Sequence, residues 1–157
     1  MRLFNSPTPR QLDTGLTMLR AVTGTIFVAH GAQKLFVYGF AGVAGGFAQM
    51  GIPFPGVMGP FIGFLELFGG LALIAGLLTR LAAVGLTANM MGALFLVHLP
   101  AGFFMPNGYE FVLMLAASAT TLAITGAGRY SLDALVARRQ QQQTVQLPVR
   151  EPLRRAA

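Results

Sequence analysis

The chain is 157 residues long, 54% hydrophobic and only 10% charged, with a formal net charge of +6. Soluble domains carry roughly 25% charged residues, whereas here only Arg20, Lys34, Glu66, Arg80 and Glu110 are charged between residues 14 and 127; this excludes a soluble surface and defines an integral membrane protein. The absence of cysteine excludes disulfides, a thiolate nucleophile and cysteine-ligated zinc or iron–sulfur clusters, and the excess arginine flanks apolar segments without any groove-reading motif, which argues against nucleic acid.

Residues 1–13 read as a short polar segment before the first span, and the apolar stretch that follows reads as a membrane span without a clear cleavage site. A spanning helix needs ~20 mostly apolar residues to cross ~30 Å of hydrocarbon, and four stretches qualify: about 14–37, 58–78, 81–99 and 109–127. The first holds Arg20, His30, Gln33 and Lys34. At about 100° per residue, Arg20 and Lys34 project about 40° apart and His30 a similar step beyond, so all three share one broad face. Arg20 and Lys34 can snorkel to opposite interfaces or face an interior site. His30 is too short to snorkel and is expected inside the bundle. Two histidines without cysteine make a thin ligand set, so no metal site is expected.

Tyr38–Val57 is glycine-rich and carries Pro53 and Pro55. It reads as a structured loop with room for a short interfacial helix. In the second span Glu66 sits near the centre, where a charge costs ~2.5–3.5 kcal/mol even on insertion scales. Gly59, Gly63 and Gly70 lie on the same face and form a groove for a neighbouring helix. Two readings stand for Glu66. One is a packing residue, protonated or paired with Arg20 or Lys34; the other is a proton-handling or ligand-holding carboxylate in a polar cavity.

Leu78-Thr79-Arg80 is a tight connection that makes the second and third spans a hairpin. Asn89 lies mid-span in the third and can bond between helices. His98 closes that span about 180° around an ideal helix from Asn89, so the two need not share a site. An aromatic turn over residues 100–108 leads to Tyr109 and Glu110 at the start of the fourth span. Glu110 suits the helix dipole there. Alternatively, His30, Lys34, His98, Tyr109 and Glu110 form one polar pocket in the outer leaflet. Beyond Gly128, Tyr130–Arg139 reads as a short amphipathic helix, and Gln140–Gln143 with the rest of the Arg/Gln-rich tail, 136–157, as disordered.

With alternating spans, Arg2, Arg10, Arg80, Arg129, Arg138, Arg139, Arg150, Arg154 and Arg155 fall on one side and Lys34 on the other. The positive-inside rule then predicts both termini in the cytoplasm of a bacterial-type inner membrane. The fold expected is an all-α polytopic four-helix transmembrane bundle over 14–135. A faint echo links His30-Gly31 with Gly39-Phe40 beyond to His98-Leu99 with Gly102-Phe103 beyond, as duplication of a two-helix unit would produce.

Several of these strings resemble the DoxX family. They are Leu19-Arg20 with Phe27-x-x-His30-Gly31-x-x-Lys34-Leu35-Phe36, Gly51-Ile52-Pro53-Phe54-Pro55, Glu66-x-x-Gly69-Gly70, Gly76-Leu77-Leu78-Thr79-Arg80, His98-Leu99-Pro100-x-Gly102-Phe103-Phe104, Asn107-Gly108-Tyr109-Glu110 and Gly128-Arg129-Tyr130-Ser131-Leu132-Asp133. The resemblance covers about residues 15–135 and implies a small four-helix inner-membrane protein. It further implies a link to sulfur oxidation and electron delivery to quinone, as in the thiosulfate:quinone oxidoreductase large subunit, or to membrane assemblies with superoxide dismutase and a sulfurtransferase. The matching positions Arg20, His30, Lys34, Glu66, His98 and Glu110, with Tyr109 beside them, are the candidate ligand-binding residues.

Three functions follow as expectations. The first is a redox subunit binding a quinone or small anionic sulfur compound, with His30 or Tyr109 bonding a carbonyl, Glu66 or Glu110 accepting protons, and Arg20 and Lys34 attracting an anion. No intrinsic cofactor or catalytic motif is evident. The second is a non-catalytic scaffold that recruits cytoplasmic redox proteins. The third is a small transporter, which four helices could form only as a homo-oligomer.

Overall fold

A computed structural model describes residues 6–145. Helix α1 spans Pro9–Ala32 and runs on through a π-helical stretch, Gln33–Tyr38. Its start is encoded locally. The Thr8 hydroxyl accepts from the Gln11 backbone N–H at 3.3 Å while the Gln11 side chain accepts from the Thr8 N–H at 2.8 Å, with Pro9 in the first turn where no donor is needed. The helix therefore begins five residues before the expected apolar boundary at 14.

Gly39, at φ +66°, turns the chain into the short helix α2, Gly39–Gln49. This is the helix allowed for within the 38–57 connection. Helix α3 covers Pro55–Ala75, and α4 covers Thr79–Ala93 and continues as a π stretch, Leu94–His98, and a 3₁₀ turn, Leu99–Ala101. Helix α5 is Glu110–Thr125 and α6 is Leu132–Val145. Pro9–Gln49, Pro55–Ala75 and Thr79–Ala101 are each long and apolar enough to cross a membrane, and Glu110–Thr125 is a shorter apolar helix. At φ +80° Gly126 stops α5 before the expected end at 127. Gln140–Gln143, expected to be disordered, lie within α6; the tail beyond Val145 lies outside the described residues.

Two hairpins make the bundle. In the first, α1 packs on α3 at backbone distance through glycines: a Cβ on Gly24 would lie 2.7 Å from the Gly70 carbonyl oxygen, and one on Gly70 2.7 Å from that of Gly24. The groove read around Glu66 is thus filled by α1, with α2 lying over Gly59. In the second, α4 and α5 meet through side chains, with Leu86, Met90, Leu94, Leu115, Ala119 and Leu122 buried between them. The echo in the sequence is repeated in the backbone. Both first helices end in a π stretch followed by a glycine at positive φ, Gly39 and Gly102.

The start of α1, the α3–α4 turn and the end of α5 meet at one face, here called the terminal face. Arg20 is buried there, donating from Nη1 to the Ala127 carbonyl at 2.8 Å and from Nη2 to the Tyr130 carbonyl at 2.6 Å. Asp133 caps α4 from a distance, its carboxylate accepting the Leu78 and Thr79 N–H groups at 2.8 and 3.0 Å while its own N–H donates to Gly76. Gly76, at φ +68°, has no room for a Cβ against Arg20 and Ser131. Asp13 closes the ring by accepting the Arg129 N–H at 2.9 Å. The motif Gly128–Asp133 is therefore a clasp over this face.

Candidate ligand cavity between the hairpins

Toward the opposite, distal face the hairpins part around a cavity of about 890 Å³. That volume lies within the range typical of small-molecule sites. Its wall is mostly apolar, from Phe27, Leu65, Met90, Val112 and Leu115. The polar exceptions are five side chains from three helices: His30 and Lys34 of α1, Glu66 of α3, and Asn89 and His98 of α4.

Glu66 is the centre of the group. It is 3% exposed, and both carboxylate oxygens are engaged. Lys34 Nζ forms an ion pair with Oε2, and Asn89 Nδ2 donates to Oε1 at 2.9 Å. Helix geometry explains the match of levels. Glu66 lies nine residues before the end of α3 and Asn89 ten residues after the start of α4, so both stand about 15 Å from the shared turn. Lys34 keeps further donors, because an ammonium has three and only one is spent on Glu66. A buried carboxylate with a cation and an amide is thus held facing an apolar chamber. Such a group costs stability relative to apolar packing.

The candidate residues separate into two groups. His30, Lys34, Glu66 and His98 line the cavity. His30 sits beside Phe111 on the cavity wall, ring centroids 6.2 Å apart. His98 Nδ1 lies 2.9 Å from the Asn107 carbonyl; a carbonyl only accepts, so Nδ1 carries the hydrogen and Nε2 of the neutral ring is an acceptor.

Arg20, Tyr109 and Glu110 lie elsewhere. Arg20 belongs to the clasp at the terminal face and does not reach Glu66. Tyr109 packs edge-on against Phe103 with centroids 5.3 Å apart. Glu110 accepts the Met105 N–H at 2.7 Å, holding the 102–109 turn. Of the five residues of the expected outer pocket, His30, Lys34 and His98 share this cavity, together with Glu66 and Asn89, and Tyr109 and Glu110 are not among its lining.

Asn89 is the residue that sequence reasoning left outside the site. Its mid-span amide is the signal, but an ideal helix sets it opposite His98. The π stretch Leu94–His98 winds less per residue than an α-helix, which brings His98 round to the cavity that Asn89 lines.

Apolar helices closing around a buried ion pair and a chamber define a polytopic helical membrane protein. The chain belongs to the DoxX family: the DoxX family model matches residues 15–99 and a second, described as the TQO small subunit DoxD, matches residues 58–151. The oxidoreductase subunit in that description is the small one, where the resemblance had suggested the large. Among relatives, the chain is 32% identical over 127 residues to CatD of Bacillus subtilis, a protein named provisionally as an oxidoreductase, covering 81% of this chain and 90% of CatD. It is 33% identical over 130 residues to the inner membrane protein YqjF of Escherichia coli, covering 79% and 93% respectively. No solved structure matches the chain significantly.

Proposed function

We propose that this protein is a membrane subunit of a redox or sulfur-metabolism system that holds a quinone or a small anionic ligand in the cavity at Lys34, Glu66 and Asn89. The observation that carries the reading is the ion pair Lys34–Glu66 facing an apolar chamber instead of being packed over. Intramembrane ionisable groups mark ligand or proton sites by default. A ligand carbonyl or anionic oxygen would accept from a remaining Lys34 N–H. Glu66 would hold or release a proton as charge on the ligand changes, and the His98 ring offers a further hydrogen-bonding edge. The names of CatD and of the TQO subunit agree with a redox role. We further propose that the terminal face, with Arg10, Arg80 and Arg129, lies in the cytoplasm; a reporter fused at Arg80 should be silent in the periplasm and one at Asn107 active there.

The test of function is the ligand content of protein purified in mild detergent. Organic extraction should recover a quinone in near-stoichiometric amount, or anion titration should show saturable binding lost in Lys34→Met. Recovery of phospholipid alone, with no saturable binding of quinone or of sulfite and thiosulfate, would reject the reading.

A further inference from the structure

Phe61 of α3 and Leu96 of α4 line the cavity, yet they are 57% and 59% exposed. The two residues therefore edge a gap in the wall. Phe61 lies 14 residues before the end of α3, and Gly92, also lining the cavity, 13 residues after the start of α4. Both stand about 20 Å along their helices from the shared turn, at the depth of hydrocarbon.

The seam between α3 and α4 is closed nearer the turn and open beyond it. At Gly69 an added Cβ would lie 3.2 Å from the Leu86 side chain, and at Gly85 3.1 Å from that of Leu65. At Gly92 it would meet nothing within 4 Å. Gly85, Ala88 and Gly92 recur at helical spacing on α4 and leave that side of the slot without bulk. The polar group of Glu66, Lys34 and Asn89 lies about one turn deeper than Phe61 and Gly92.

We infer that ligand enters this cavity sideways from the bilayer, between α3 and α4, and that it is an amphiphile whose hydrogen-bonding head meets Lys34, Glu66 and Asn89 while its linear apolar tail leaves past Phe61, Gly92 and Leu96. The inference rests on the functional reading above and narrows it. A lipid-soluble quinone fits, and a small inorganic sulfur anion does not. The tail makes no demand on side-chain polarity along the slot, which is lined by carbon alone.

The test uses the full chain in nanodiscs and a benzoquinone with a decyl tail carrying a mid-tail diazirine. After photolysis, labelled residues are mapped by mass spectrometry with and without excess unlabelled decylbenzoquinone. Competable labelling is expected on residues 58–65 and 85–96. Gly92→Leu fills open space and should reduce that labelling about tenfold, with thermal melting as the check on folding. Competable labelling confined to 50–52 and 105–108 would overturn the lateral route while leaving the cavity reading intact. Absence of competable labelling anywhere in the wild-type chain would remove the cavity reading and the route together.

Discussion

Two cations of helix α1 and its π-helical extension, Arg20 and Lys34, have surroundings that differ in kind. Arg20 lies at the terminal face with its guanidinium against two backbone carbonyls of the segment after α5. Both partners are fixed main-chain atoms, and the planar fork suits two acceptors at once. Lys34 lies toward the distal face, against a carboxylate that can change its charge and beside a chamber of about 890 Å³. One cation closes the chain on itself; the other leaves donors facing open space. An intramembrane charge is thus not evidence of a ligand site until its partner is known. A backbone partner marks architecture, and a titratable partner facing a cavity marks a site.

Substitutions can break this contrast, and the largest effect is expected at Arg20. Arg20→Leu strands one buried and one partly buried carbonyl and should destabilise by roughly 4 kcal/mol, read as loss of monodisperse protein or a large fall in Tm. Arg20→Lys should recover only part, because an ammonium cannot span both acceptors in the guanidinium geometry. A leucine variant as stable as the wild type would mean that the clasp is not structural.

A smaller loss is expected at Lys34. Lys34→Met leaves the Glu66 carboxylate without its cation in apolar surroundings, at a cost of about 3 kcal/mol. The double change Lys34→Met with Glu66→Leu should regain most of that stability while abolishing ligand retention. If the double variant is less stable than either single, the pair is a packing device and the contrast with Arg20 fails. Asp133→Ala removes the remote cap of α4 and should cost about 1 kcal/mol, without changing ligand retention. Removing residues 136–157 should shift stability by no more than about 0.5 kcal/mol, since, among the described residues, the helix pairings that build the bundle are those of α1 to α5; failure to recover folded protein would show that the tail is part of it.

Much of this was legible in the sequence because the bilayer constrains it tightly. The second span was expected at 58–78 and α3 is Pro55–Ala75, with Glu66 central and Lys34 among its named partners. What escaped has three causes. Arg20 was grouped with the ligand residues because its acceptors are backbone atoms 107 and 110 positions away, and side-chain patterns carry no trace of main-chain acceptors. A uniform helical step sets Asn89 apart from His98, but the helix widens across Leu94–His98. Tyr109 and Glu110 were placed in the pocket by level alone, and the aromatic turn draws them to Phe103 and Met105 instead. Sequence gives the depth of a residue in the membrane well, and its azimuth only where the helix is regular.

The central claim is that Glu66 holds a ligand rather than filling a groove. The most direct measurement is binding of decylbenzoquinone to nanodisc-embedded wild type and Glu66→Gln, each recorded beside its Tm. Glutamine keeps the shape of the side chain and its bond with Asn89 but cannot pair with Lys34 as an ion or take up a proton. Saturable binding is expected of the wild type, weakened at least about tenfold in Glu66→Gln because a buried site that loses a matched polar group discriminates strongly, with little change in Tm. Equal binding by the two proteins would contradict it and leave Glu66 a structural residue.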